Sequence, residues 1–384
     1  MTELEDRVRS KVAGLTANDD IPGATWAIVT GSGDHRAVHV ESMGRYSDDS
    51  IFRVASLTKP IIGVLAAALV DDGVLGLDDP VDRWVPELAD RQVLRAPDTE
   101  LDDVVPPSRA LTVRDVLEMG AGLGWGPALE GTPLQRAQVD QELESTWQPS
   151  PLDPDEWVRR LGSVPMAHQP GEGWLYQMSY DLLTVVLERA SGTTLDELLA
   201  KRLLDPLGMA ETGWRVSPSQ LDRVPAQYFP NRAGERVEVA PVADPSLLEL
   251  PAFRSSATGL LSTAADLARF VELLLDEGDA PGGRVLPASA VQHLSQDRLS
   301  PGARPMAQAD LGPALGWGHG VAVDLEPQFP GSHAGRFGWH GGTGASLWVD
   351  PTVGVGAVIL TQHGMGGTTG ADYVASFFSA VHAE

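Results

Sequence analysis

The stretch "RVASLTKPIIG", residues 53–63, places a serine and a lysine three positions apart at the start of an apolar run. Serine favours helix starts, so a helix is expected from Ser56 to Val70, closed by Gly73. At such a start the unpaired backbone N–H groups and the positive dipole end favour negative charge developing on a serine oxygen. Lys59 projects from the same face, within reach of the Ser56 hydroxyl. A buried lysine loses charge stabilisation, its pKa falls, and it can accept a proton at neutral pH. Pro60 needs no donor in the first turn. An ordinary helix start meets the same spacing, so the rest of the chain must decide.

Upstream, Leu4, Val8, Val12 and Leu15 share one helical face, and "ATWAIVT" and "RAVHVES" read as strands joined by a turn at residues 31–34. Helical periodicity fills the middle of the chain, at 111–120, 153–162, 179–192 and 194–204. Capping pairs are expected at Thr112 with Asp115 and at Thr194 with Glu197. A helix over 262–278, strands "ASLWVDP" and "GVGAVILTQ", and a last helix near 368–382 complete the pattern. Strands at both ends with helices between predict an α+β protein. Its antiparallel sheet is flanked by helices, with residues 1–78 and 251–384 forming one domain and 79–250 a mainly helical one.

With 384 residues and 42% hydrophobic content, the chain is long enough for a large core. A formal net charge of −25 argues against nucleic acid and anionic membrane surfaces as partners. No apolar run reaches the length of a membrane span. The N-terminus "MTELEDRVRSKVAGL" lacks an apolar segment of the secretory kind, so a cytoplasmic location is expected. There is no cysteine. His35 and His39 stand four apart on a predicted strand, where that spacing loses its helical meaning, and neither metal nor cofactor is expected. Lysines occur only at positions 11, 59 and 201, so one of them lies in the opening stretch.

Five blocks carry a family resemblance. "FRVASLTKP" (52–60) resembles the active-site segment of the serine β-lactamase and penicillin-binding protein superfamily, whose Ser-x-x-Lys carries acylation. "LTVRDVLEMGAGLGWG" (111–126), "PGEGWLYQMSYDLLTVVLERASG" (170–192), "SSATGLLSTAADLARFVELLL" (255–275) and "GWHGGTGASLWVDPTVGVGAVILTQ" (338–362) resemble later family blocks, in family order. The resemblance implies the β-lactamase-like fold. It also implies that Tyr176 takes the tyrosine of the second motif, Tyr-x-Asn, with Met178 where asparagine usually stands. A thioether cannot replace both groups of that amide. The third motif has two registers. Trp339-His340-Gly341, with Gly342 giving the second oxyanion N–H, needs no gap downstream and is preferred over His340-Gly341-Gly342. Neither supplies the lysine of Lys-Thr-Gly.

Trp-x-Gly, with a tyrosine motif lacking asparagine, is similar to the pattern of family VIII carboxylesterases. The resemblance therefore implies hydrolysis of a small-molecule ester. Ser56 is the implied nucleophile, Lys59 helped by Tyr176 the base, and the N–H groups of Ser56 and Gly342 the oxyanion hole. Trp125, Trp174 and Met178 are candidates for the substrate pocket. An amide or D-peptide hydrolase, an acyltransferase, a β-lactamase and a binding protein with a dead site are the alternatives. The absence of Gly-x-Ser-x-Gly disfavours an α/β-hydrolase. The acidic run at 140–157 reads as a solvated loop, in a place where this fold's loops can roof the site.

Overall fold

The computed structural model describes residues 2–144, 146–365 and 372–383. Seven strands make the main sheet: β1 (Gly23–Thr30), β2 (Ala37–Gly44), β3 (Leu315–Trp317), β4 (Ala322–Asp324), β5 (Phe337–Gly341), β6 (Ala345–Asp350) and β7 (Val355–Leu360). Their order is β3-β4-β5-β6-β7-β1-β2, antiparallel at every pairing. Strands from the two ends of the chain therefore meet inside the sheet, where β1 pairs with β7 through Trp26 opposite Ile359. β1 and β6 are buried almost residue by residue, which is why their sequences run nearly continuously apolar instead of alternating.

Helix α1 (Glu3–Ala17) starts at a capping box between Thr2 and Glu5 and buries Val8, Val12 and Leu15. It packs on β1, β2 and the helix Asp372–His382, while the helix Ala264–Leu275 packs on β1, β6 and β7. The expected last helix begins at Asp372 in the described residues, and the expected positions 368–371 lie outside them. One hydrophobic core runs from Val8 to Val381 and takes in the helices of the middle region. No helix among the described residues is long and apolar enough to cross a membrane.

Two local expectations need correction. Helix α2 spans Thr58–Asp71, and Ser56 sits in the 3-10 turn Ala55–Leu57 just before it. The expected cap at Thr194 is not made. Glu188 takes that role instead, its Oε1 accepting from the Leu195 N–H at 2.8 Å. By contrast Thr112 and Asp115 form the expected reciprocal capping box.

Candidate active site

Ser56 is held by what surrounds its turn. Phe52–Arg53 pairs antiparallel with Leu261–Ser262, and the Val54 N–H donates to the Leu260 carbonyl at 3.0 Å. The chain then reverses at Ala55, whose φ of +43° lies in the left-handed region. A non-glycine there costs on the order of 1–3 kcal/mol, a strain that clusters at working sites. The Thr58 hydroxyl closes the turn by donating to the Ala55 carbonyl at 2.6 Å. From the other side β5 presses in: a Cβ on Gly341 would stand 2.1 Å from the Val54 carbonyl oxygen. Only glycine lets that strand approach so closely.

Lys59 is fully buried, the second residue of α2. Its Nζ lies 2.9 Å from Ser56 Oγ, 2.7 Å from the Ala257 carbonyl and 3.3 Å from Gln177 Oε1. Burial pushes the Lys59 pKa well below that of a free lysine, and the buried Asp181 carboxylate opposes this only in part. Two of those three polar neighbours are carbonyl oxygens, which accept and cannot donate. An ammonium donates to all three, and a neutral amine satisfies them once the Ser56 O–H donates to its lone pair.

Tyr176 completes the cluster. Its main chain pairs both ways with Trp125 at 2.9 Å, and its ring sits among Trp125, Trp174, Trp317 and Trp339 at centroid distances of 5.0, 5.8, 6.1 and 5.6 Å. Burial in this aromatic box raises the phenol pKa and keeps it protonated. The Trp339 indole N–H donates to the Tyr176 oxygen at 2.6 Å, and the Tyr176 hydroxyl bonds with Ser56. One connected network then runs through the site: Trp339 donates to Tyr176, Tyr176 bonds with Ser56, and Lys59 Nζ contacts Ser56 Oγ, the Ala257 carbonyl and Gln177.

A cavity of about 240 Å³ opens above Ser56, walled in part by Trp125, Trp147, Tyr176, Phe229, Trp339 and His340. Gly342 lines it, with nothing within 4 Å of where a Cβ would stand. Burial, with Arg336 nearby, pushes the His340 pKa down to about 3, and its Nδ1 meets Ser346 Oγ at 2.8 Å. It is therefore neutral at working pH.

A family model described as Beta-lactamase matches residues 8–374. The chain belongs to the Beta-lactamase family. Among curated family relatives it is 34% identical to Protein Rv1367c of Mycobacterium tuberculosis over 325 residues, 82% of this chain and 78% of that one. It is 31% identical to Esterase EstB of Burkholderia gladioli over 338 residues, 84% and 80% of the two chains. Of solved structures, EstCE1, "a hydrolase with promiscuous acyltransferase activity", superposes with a TM-score of 0.80 at 24% identity, covering 99% of this chain and 98% of that one. At that identity the match speaks for the β-lactamase-like fold alone.

Within this Beta-lactamase family frame the structure brings together Ser56, Lys59, Tyr176, Trp339, His340, Gly342 and Trp125 at one cavity. Gly341 lies behind it, against the serine turn. Two pocket candidates fall elsewhere. Met178 is fully buried as the first residue of the helix Met178–Ser191, and Trp174 is buried between Tyr176 and Trp317. Gln177 takes the place expected of Met178. Its backbone stands at φ +99°, and its side chain lines the cavity and reaches Lys59. Sequence reading passed over it because the family spacing put the amide one residue later. It also missed the Ala257 carbonyl, which no side-chain pattern announces, and Trp317, which arrives from β3.

Proposed function

We propose that the chain is a serine carboxylesterase that works through an acyl-enzyme on Ser56. The observation that carries this reading is Ser56 Oγ standing 2.9 Å from the Nζ of a fully buried Lys59 and bonded to Tyr176, at the floor of a cavity. As Ser56 Oγ bonds to the ester carbonyl carbon, its proton passes to Lys59 Nζ. The carbonyl π electrons move to oxygen, where the N–H groups of Ser56 and Gly342 stabilise the charge, an effect of roughly 10²–10³ in rate per donor. Collapse of the intermediate breaks the bond to the alcohol oxygen, which takes a proton from the Lys59–Tyr176 pair. Water then attacks the acyl carbon and gives its proton to the same base; the acyl carbon–Ser56 Oγ bond breaks, Oγ takes that proton back, and the carboxylic acid leaves.

Similarity to Esterase EstB supports ester over amide chemistry. One argument against β-lactam hydrolysis loses force, because Gln177 supplies a carboxamide at the cavity although Met178 does not. What still separates the site from a β-lactamase is its third motif, where Trp339 stands in place of a lysine that would pair with a substrate carboxylate. The test compares turnover of p-nitrophenyl acetate and butyrate with that of nitrocefin, for wild type and Ser56→Ala. Ester hydrolysis that falls roughly 10³-fold or more in the variant, with little nitrocefin cleavage, is expected. Nitrocefin turnover matching that of the esters would contradict the reading.

A further inference from the structure

A second chamber of about 490 Å³ adjoins the serine cavity, sharing Ala55, Trp147 and Thr258 with it. Trp147 stands between the two, its ring 5.9 Å from that of Phe229 across the roof of the serine side. At about 240 Å³ the serine cavity alone falls below the roughly 300–1,000 Å³ of pockets that enclose drug-sized ligands. The two joined fall inside that range. The lining of the second chamber is apolar along Trp147, Trp214, Leu247, Pro251, Phe253 and Leu260.

Its charges are Arg53, Asp244 and Glu249. Arg53 is buried and already committed, with one guanidinium nitrogen 3.3 Å from Asp244 Oδ2 and the other donating to the Pro225 carbonyl at 3.1 Å. Among the described residues the chamber therefore has no spare cation, while Glu249 adds a second carboxylate. An anionic group entering it would lose hydration and meet like charge.

We propose that this chamber binds the larger part of the ester, and that it accepts an uncharged, ring-sized apolar group and rejects one bearing a carboxylate. The assignment of the group to an ester rests on the esterase reading, whereas the chamber's preference can be measured without turnover. Calorimetric titration of the Ser56→Ala protein with 2-acetonaphthone and with 2-naphthoate compares the same ring system neutral and charged. The ketone is expected to bind at least tenfold more tightly than the anion. Ala252 and Val239 line only the second chamber, from its exposed rim, so Ala252→Trp and Val239→Trp fill it without entering the core. Each, in the Ser56→Ala background and checked for an unchanged thermal transition, is expected to weaken the ketone at least tenfold. No ketone binding, equal binding of the anion, or unchanged affinity in both filled variants overturns the proposal. Wild-type ester turnover, measured separately, shows whether the esterase reading fails on its own.

Discussion

Burial is what favours the neutral form of Lys59, and the acceptors around its Nζ, with the Asp181 carboxylate, oppose that shift only in part. Gln177→Glu would place a carboxylate where Oε1 now lies 3.3 Å from Nζ. An opposite charge at that range favours the ammonium by about 1–3 pKa units. The acid limb of the kcat/KM profile should therefore move to higher pH by that amount, and activity at neutral pH should drop, while Gln177→Asn keeps the limb in place. A profile unmoved by the glutamate would show that Gln177 does not set the base. The same lysine weakens the fold. Its folded pKa lies below the value of about 10.4 for the unfolded chain. Its penalty is thus absent above pH 10.4, grows as pH falls towards the folded pKa, and is constant below it. Lys59→Met should raise Tm at neutral pH and remove a rise of stability with pH worth at most about 1.4 kcal/mol per unit. Thermal melts of both proteins across pH check this.

Among the elements, the meeting of β5 with the serine turn sets the site's geometry. Two adjacent glycines there should behave in opposite ways. Gly341→Ala drives a methyl into the Val54 carbonyl, so the strand or the Ala55 turn must shift. A loss of about 1–3 kcal/mol in stability is expected, together with a fall of about tenfold or more in kcat/KM. Gly342→Ala meets nothing within 4 Å and keeps its N–H, so its stability should stay within about 0.5 kcal/mol of wild type. Denaturant melts and ester kinetics on the pair separate the two roles. Sequence patterning revealed the long central elements, because β1, β6, β7 and the buried α2 are apolar runs and α1 has a clear face. It did not reveal β3 and β4, which are three residues each and depend on pairing, β4 with β5 and β3 with β4. Nor did it reveal the hairpin Gln227–Pro230 with Arg236–Ala240, whose second strand leaves Val237, Glu238 and Val239 exposed together and so shows no alternation of burial.

At the scale of the whole molecule, 53 acidic residues against 28 basic ones leave a self-repelling surface. Ion pairs such as Arg189 with Glu87 and Arg223 with Glu211 offset part of it, but exposed pairs contribute little. Salt weakens both effects, and the excess of acid decides the sign. Raising ionic strength from about 10 mM to about 150 mM, which shortens the screening length from roughly 30 Å to roughly 8 Å, should raise Tm. A falling Tm would mean that attractive pairs dominate. In the candidate site Ser56, Lys59, Tyr176 and Trp339 were legible as side chains, since each sits in a block that resembles the family's, and the structure brings the four together. What stayed hidden was whatever tertiary packing supplies: a carbonyl from residue 257, an amide at 177 aimed by a left-handed backbone, and a tryptophan at 147 inside an acidic loop. The most direct measurement is mass spectrometry of the protein treated with a fluorophosphonate between about pH 5 and pH 9, with peptide mapping and labelling rates. The account predicts one adduct, on Ser56, forming at a rate that rises with pH through a single ionisation well below the 10.4 of free lysine. Labelling of another residue, or a rate on Ser56 that does not change with pH, would contradict it.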